Sequence, residues 1–238
     1  MDSAVDIAKE SADLILLEKS LLVLEEGVTE GRKVFANILK YIRMGASSSF
    51  GNMFSVVGAS AFLPFLPMAP LQILANNLLY DFSQVPIPAD DVDAELIAMP
   101  RPWSMGEIAR FILFIGPCSS VFDYTTYFMM LYVFHARNNV SLFQTGWLIE
   151  SLLTQTLIIH IIRTNKLPFL QSRASLPLTV TSVLIMAIGV LLPFSPLAPV
   201  LGLVHPPGLY WPLLVLTLLC YAVLTQVVKQ RLLRRSWI

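Results

Sequence analysis

Asp81 is an acidic residue inside an apolar segment, residues 71–84, whose composition is typical of a membrane-spanning helix. A carboxylate near the centre of a bilayer costs about 2.5–3.5 kcal/mol on insertion scales, so an acid at such a position indicates a functional site. The 16 Lys and Arg residues of the chain lie near segment ends or in loops, and none is placed to neutralise Asp81. We therefore expect Asp81 to face a cation or a proton, which points to ion transport.

Amide side chains accompany Asp81 at helical spacing. Asn77 precedes it by four residues and Gln84 follows it by three, so on a helix all three share one side. A carboxylate with amide oxygens is the hard-oxygen ligand set that suits Mg²⁺ or Ca²⁺. The alternative is a protonated Asp81 that is hydrogen-bonded to a neighbouring helix. Asn76 lies on a different face, where an interhelical hydrogen bond explains it at least as well.

Two further acids, Asp123 and Glu150, fall within apolar segments. Glu150 lies about a third of the way along its segment, and it either lines an ion path or is a buried structural group. Asp123 is followed by three hydroxyl-bearing residues at 124–126, which favours a buried structural acid over an ion ligand. The histidines and the two cysteines have no metal-ligand spacing, so we expect no transition-metal site.

The elements that must position these groups are transmembrane helices. Hydrophobic residues make up 55% of the chain and charged residues only 13%, about half the share that is usual in soluble domains. Zero net charge argues against a nucleic-acid partner. A spanning helix needs about 20 mostly apolar residues. The sequence predicts a mainly α-helical, polytopic membrane protein with six transmembrane helices, at residues 44–63, 68–88, 111–134, 142–162, 177–194 and 210–228.

Basic residues predict the orientation, because cytoplasmic loops carry the excess of Lys and Arg. With six spans, every Lys and Arg except Arg137 falls on one side, so both termini are expected to be cytoplasmic. The chain opens Met-Asp-Ser-Ala-Val-Asp, which lacks the basic and then apolar pattern of a secretory signal, so we expect none. Four aromatic residues near span ends are interpreted as interfacial anchors: Trp103, Trp147, Tyr210 and Trp211.

Residues 1–43 differ in kind from the apolar remainder. A short apolar run bounded by charges, residues 13–18, predicts a buried strand, and residues 21–43 predict a helix that continues into the first span without a proline. So short a segment with one strand cannot bury a core of its own. We therefore expect a helix–strand–helix remnant of a larger α/β domain.

Motifs along the whole chain resemble P-type cation-transporting ATPases. Residues 3–17 (Ser-Ala-Val-Asp-Ile-Ala-Lys-Glu-Ser-Ala-Asp-Leu-Ile-Leu-Leu) resemble the end of their phosphorylation domain, and Glu-Gly-Arg-Lys at 30–33 resembles their stalk. Ser-Ser-Phe-Gly-Asn at 48–52 resembles the fifth transmembrane helix, and Asn-Leu-Leu-Tyr-Asp at 77–81 the sixth. Details most similar to the bacterial magnesium-importing subclass are Pro-Phe-Leu-Pro at 64–67, Phe-Gln-Thr-Gly-Trp at 143–147 and Phe-Ser-Pro-Leu-Ala at 194–198.

The resemblance implies the C-terminal part of an ATP-driven pump in a bacterial inner (plasma) membrane. Residues 1–43 would be the end of the phosphorylation (HAD-like) domain and the stalk helix, and residues 44–238 the C-terminal transmembrane domain. The family's phosphorylated-aspartate loop, nucleotide domain and first four spans have no counterpart in the sequence. We therefore expect ATP to be used only in the complete pump and this chain alone to be inactive. Its partners would be membrane lipid and the remaining N-terminal part of the pump.

The resemblance also implies an ion site. In the family, the residues that match Asn77 and Asp81 bind the transported ion. Asn52 lies where calcium pumps place a glutamate, and this loss of a carboxylate argues against calcium transport; an interhelical hydrogen bond is the alternative for Asn52. Mg²⁺ dehydrates reluctantly and uses one or two carboxylates, so one acid with several amides fits Mg²⁺ as the transported ion. The expected metal ligands are Asp81, Asn77 and Asn52, and the further candidates for the ion path are Glu150, Gln84 and Asp123.

Two functional hypotheses follow from the sequence. The favoured one is the transport portion of a P-type magnesium-importing ATPase, in which phosphorylation of the missing domain moves the stalk and reshapes the ion site. The competing one is a non-enzymatic six-span membrane protein, a channel-like or accessory remnant that works alone.

Overall fold

The structure, a computed structural model, describes residues 5–13, 15, 20–100 and 102–235, and it is mainly helical. The α-helices are α1 (Asp6–Glu10), α2 (Leu21–Ala59), α3 (Pro70–Gln84), α4 (Ala94–Ile97), α5 (Met105–Phe128), α6 (Val140–Ile162), α7 (Leu176–Leu191) and α8 (Tyr210–Arg234). Single turns of 3₁₀ helix lie at Ile87–Ala89, Ala136–Asn138 and Leu192–Phe194, and a π-helical turn, Met129–Val133, extends α5. The described residues contain no β-strand. Most of the predicted strand at 13–18 lies outside them.

Four helices among the described residues are long and apolar enough to cross a membrane. They are Met105–Val133, Val140–Ile162, Leu176–Phe194 and Tyr210–Arg234, and they coincide with the last four predicted spans. The structure does not show the first two predicted spans as such. α3 has 15 residues, about 22 Å of helix, which is shorter than the roughly 30 Å hydrocarbon core. The matching part of α2, residues 44–59, carries four Ser, three Gly and one Asn, which lower its hydropathy.

α2 is one continuous helix of 39 residues, as the absence of proline predicted. Its N-terminus is capped by Ser20, whose hydroxyl accepts a hydrogen bond from the backbone N–H of Leu22. At about 58 Å it is nearly twice the thickness of the hydrocarbon core. The helix therefore joins a segment outside the bundle to the cavity described below.

α6 is the central helix of the bundle. Its most apolar stretch is 94% buried, against 22–44% for the other three membrane-length helices. It packs against α2, α3, α5, α7 and α8. Because α6 touches all of these helices, its polar residues can connect sites on opposite sides of the bundle.

α2 and α5 approach each other closely at two glycines. A Cβ built on Gly51 would lie 2.8 Å from the carbonyl oxygen of Gly116, and a Cβ on Gly116 would lie 3.1 Å from that of Ser47. Backbone atoms cannot move aside as a flexible side chain can. Small residues at these positions therefore let the two helix backbones touch, as in other membrane bundles.

The interfacial interpretation is wrong for Trp147 and Tyr210. Trp147 is 2% exposed and Tyr210 is fully buried. The Tyr210 hydroxyl donates a hydrogen bond to the carbonyl oxygen of Gly146 at 2.6 Å, and the Trp147 indole also has an internal acceptor, described below. The same polar group that suits these residues to a membrane interface is satisfied here by a neighbouring helix.

Candidate functional site

A cavity of about 810 Å³ lies between α2, α3 and α6. Its lining includes four of the six predicted site residues: Asn52, Asn77, Asp81 and Gln84. Further polar residues in its wall are Tyr41, Ser49, Asn76, Tyr80, Ser151 and Gln155. Groups that are far apart in the sequence are thus brought to one space, with α2 and α3 each presenting residues at helical spacing.

α3 is fixed at its N-terminus by a set of local and long-range contacts. It begins at Pro70, where the missing N–H of proline costs nothing. The Gln72 side-chain oxygen accepts a hydrogen bond from the Ala69 N–H at 2.9 Å, and its amide nitrogen donates to the carbonyl oxygen of Leu201 at 2.8 Å. From this start, Asn77, Asp81 and Gln84 all reach the cavity.

The predicted ligands differ in their exposure. Asp81 and Asn77 are exposed, Asn52 is half-buried, and Gln84 is 4% exposed. The carboxylate therefore lies at the open side of the cavity and the Gln84 amide at its closed side. Because Asp81 is exposed and lines the cavity, its carboxylate is accessible to an external partner.

Two buried amide oxygens at the cavity lack a protein partner. Within the described ranges, neither Gln84 Oε1 nor Asn76 Oδ1 takes part in a hydrogen bond, and Asn76 is only 2% exposed. A buried acceptor without a hydrogen bond destabilises the folded protein by about 1–3 kcal/mol, so we expect each oxygen to bind water or a cation. Sequence reasoning set Asn76 aside because it is 100° around the helix from Asn77; the cavity is wide enough to take in both.

Asp123 and Glu150 do not line this cavity; they lie behind its wall. Asp123 is 2% exposed and accepts hydrogen bonds from Ser55 Oγ at 2.6 Å and Trp147 Nε1 at 2.8 Å. Trp147 also lines the cavity, so it forms a wall between the two sites. The predicted ion-path residues are thereby divided into a cavity group and a separate buried acid pair.

A buried ion-pair network lies at the end of the bundle where α6 ends. Asp90 accepts hydrogen bonds from Lys40 Nζ and Arg163 Nε, both at 2.9 Å, and from the Ser175 N–H at 3.0 Å. The side chains of Asp90, Lys40 and Arg163 are 0%, 6% and 2% exposed. Burial alone would raise the pKa of the Asp90 carboxyl, but the hydrogen bonds from Arg163 and Lys40 outweigh it, so this pKa is lowered. Burial lowers the pKa of Lys40, and Asp90 only partly offsets this.

The same network continues around Asp90. Arg163 Nη1 donates to Ser172 Oγ at 2.9 Å, and Ser172 donates to Asp93 Oδ1 at 2.7 Å. Asn37 Nδ2 donates to the carbonyl oxygens of Pro88 and Asp90, each at 3.0 Å. The loop after α3 is therefore bound at once to α2 and to the segment that follows α6. The sequence indicated only a charged linker here, because none of these partners is near in sequence.

The ligand chemistry of the cavity is that of neutral oxygens with one carboxylate. The described ranges hold no group of three or more His, Cys, Asp or Glu residues that could bind a metal. A cation in the cavity would meet Asp81 together with amides and hydroxyls. Such a set, with room for several waters, suits a hard and strongly hydrated divalent ion.

Known proteins resemble this chain along nearly its whole length. The family model described as "Cation transporting ATPase, C-terminus" matches residues 65–231. A "Magnesium-transporting ATPase, P-type 1" from Escherichia coli (strain K12) is 58% identical over 231 residues, which is 96% of this chain and 26% of that relative. A protein of the same description from Salmonella typhimurium (strain LT2) is 56% identical over 238 residues, 99% of this chain and 26% of the relative.

A more distant relative matches a shorter stretch. A "Calcium-transporting ATPase" from Bacillus subtilis is 33% identical over 79 residues, or 33% of this chain. The chain spans about a quarter of the length of the magnesium-transporting relatives that it matches.

Proposed function

The chain belongs to the family of cation-transporting ATPases, and from that membership we propose that it is the C-terminal transport portion of a P-type pump that moves Mg²⁺ across a bacterial inner membrane. The relatives that support the choice of ion are described as magnesium-transporting and are 56–58% identical to it. The alternative of a channel-like or accessory protein acting alone is not favoured, because this similarity extends over 96% of the chain or more.

One structural observation carries the proposal: a single cavity is lined by the Asp81 carboxylate and by the amides of Asn52, Asn77 and Gln84. We assign Asp81, Asn77 and Asn52 as ligands of the transported Mg²⁺, with Gln84 on its path. One carboxylate and several neutral oxygens hold a partly hydrated Mg²⁺ without requiring full dehydration.

The membrane arrangement in this proposal has six spans, with α3 and the part of α2 that begins near residue 44 as the first two. Their support is that α2 packs along α5 and α3 along α6, both of which have membrane length. Both termini would be cytoplasmic. Lys40 and Arg163 meet at one end of the bundle, and Lys229 of α8 reaches the same end, where its Nζ donates to the carbonyl oxygen of Thr164 at 3.0 Å.

The rest of the pump has two roles in this proposal. It would close the cavity on the side where Asp81 and Asn77 are exposed, and it would bind and hydrolyse ATP. Residues 1–43 would be the end of its phosphorylation domain and the stalk. Because α2 is one helix from Leu21 to Ala59, a displacement of its first half would move Asn52 relative to α3.

The test is Asp81→Asn in the complete pump, reconstituted in proteoliposomes. We expect the Mg²⁺ concentration for half-maximal ATPase to rise by about tenfold or more, which corresponds to about 1.4 kcal/mol of lost binding, together with loss of Mg²⁺ uptake. Asp91→Asn is the matched control, since it makes the same change of charge on an exposed loop carboxylate. Uptake and Mg²⁺ dependence that are equal in the two variants would refute the ligand assignment.

A further inference from the structure

Asp123 and Glu150 form a buried pair of carboxyl groups that the cavity does not use. Glu150 is fully buried, and within the described ranges neither oxygen of its carboxylate accepts a hydrogen bond. Its carboxyl lies beside that of Asp123, close enough for a hydrogen bond once one of the two carries a proton. The two residues come from α5 and α6, so the pair also joins these helices.

The surroundings of the pair distinguish its two members. Asp123 accepts hydrogen bonds from Ser55 of α2 and Trp147 of α6, which stabilise a carboxylate on Asp123. Among the described residues, the titratable groups that face the pair from α5 and α8 are tyrosines: Tyr124 and Tyr127 from α5, and Tyr210 and Tyr221 from α8. The donors that reach Asp123 are neutral, and Glu150 receives none from the described residues.

Two adjacent ionised carboxylates in this setting would be unstable. Burial disfavours each charge, and the like charge beside it disfavours it further. A proton on Glu150 removes both penalties, because its O–H can then donate to the Asp123 carboxylate. That arrangement gives the unpartnered Glu150 carboxyl a partner, and it leaves Asp123 with three donors.

We propose that Asp123 and Glu150 form a proton-binding site, in which Glu150 holds one proton at neutral pH and donates it in a hydrogen bond to the Asp123 carboxylate. The pair then carries one negative charge behind the Trp147 wall of the cation cavity. The proton is bound separately from the transported ion, because neither acid lines the cavity. The inference does not depend on which cation the cavity takes.

The experiment is infrared spectroscopy of the full 238-residue chain in lipid nanodiscs at neutral pH. A protonated carboxyl gives a C=O band that is separate from carboxylate bands and shifts in D₂O. We expect such a band in the wild-type chain, its shift when glutamate but not aspartate is ¹³C-labelled on the carboxyl carbon, and its loss in Glu150→Gln. Asp81→Asn is the matched control and should leave the band unchanged.

The wild-type spectrum and the labelling decide the question even if Glu150→Gln fails to fold. Absence of the band at neutral pH, or its assignment to aspartate, would overturn the proposal. The same spectrum is then recorded after addition of Mg²⁺. An unchanged band supports a proton site distinct from the cation site, whereas its disappearance would show that the two carboxyl groups bind the cation instead. Failure of Mg²⁺ transport would leave the band untouched, so the two proposals are tested independently.

Discussion

Asp90→Asn is the substitution for which the structure gives the sharpest expectation. The Asp90 side chain has no exposed surface and neutralises both Lys40 and Arg163, each through a 2.9 Å contact. Asparagine has nearly the same shape and can still accept the hydrogen bond from the Ser175 N–H. With this amide oxygen towards Ser175, its NH₂ group faces Lys40 Nζ and Arg163 Nε, the two donors to Asp90 Oδ2; with the amide flipped, its NH₂ group faces the Ser175 N–H instead. In neither orientation does the neutral amide supply a negative charge. Two buried positive charges would therefore lose their counter-ion.

The magnitude follows from the burial of all three groups. Removal of one partner from a buried ion pair typically costs about 3–5 kcal/mol, since the remaining charge stays buried without compensation. At about 1.4 kcal/mol per factor of ten, this is a change of roughly two to three and a half powers of ten in the equilibrium for local opening. The cost should appear where the network holds segments together, namely in the loop after α3 and in the segment that follows α6.

Hydrogen exchange of backbone amides, read by mass spectrometry of the chain in nanodiscs, measures this local opening. We expect amides at residues 87–97 and 163–175 to exchange about a hundredfold to several thousandfold faster in Asp90→Asn. Glu95→Gln is the control, because the Lys166–Glu95 pair of the same loop is 3.3 Å long and has side chains 35% and 67% exposed. Such a pair contributes at most about 1 kcal/mol. Equal exchange in the two variants would refute the assignment of Asp90 as the residue that holds these segments together.

Three other expectations come from the same structure. The pKa values of Asp90 and Asp93 are lowered in the folded chain, because hydrogen bonds and nearby cations outweigh the effect of burial. The stability that the two carboxylates contribute is complete above the pKa of an unfolded Asp, about 3.9, and is lost as the pH falls through their lower pKa values in the folded chain. Hydrogen-exchange protection of the loop measured against pH checks this, and protection that increases on acidification would contradict it. Gly51→Ala should destabilise the bundle by about 1–3 kcal/mol, because the new Cβ meets the Gly116 carbonyl oxygen. Gly27→Ala should stabilise α2 by about 0.5–1 kcal/mol, because no atom lies within 4 Å of the new Cβ. The thermal unfolding temperature should therefore fall in Gly51→Ala and rise in Gly27→Ala.

The sequence was informative where the signal is local. The spacing of Asn77, Asp81 and Gln84 predicts a shared side of a helix, and all three do line one cavity. The lack of proline before the first predicted span predicts a helix that continues from the stalk, and α2 is that helix. Helical periodicity and hydropathy depend on near neighbours, so they can be read along a single chain.

Local sequence patterns could not show that Asp123 and Glu150 lie apart from the cavity that Asp81 lines. Asp123 and Glu150 were candidates for the ion path on the same reasoning as Asp81, since an intramembrane acid is costly wherever it lies. Only the packing of α6 against α2 and α5 decides that Trp147 stands between them and the cavity. Asn76 was excluded because it lies on a different face of the helix from Asn77. Both residues nevertheless line the cavity, because its width depends on the packing of three helices and cannot be read from one of them.

The sequence by itself determined the kind of protein: apolar segments of membrane length, one acid among amides, and the motifs of a cation-transporting ATPase. Tertiary structure alone decided which polar groups meet. The Lys40–Asp90–Arg163 network joins residues that lie 50 and 73 positions apart. Hydrophobic burial is set by composition and periodicity, which are local, whereas a hydrogen bond requires two atoms about 3 Å apart. That distance is fixed only when the helices have packed.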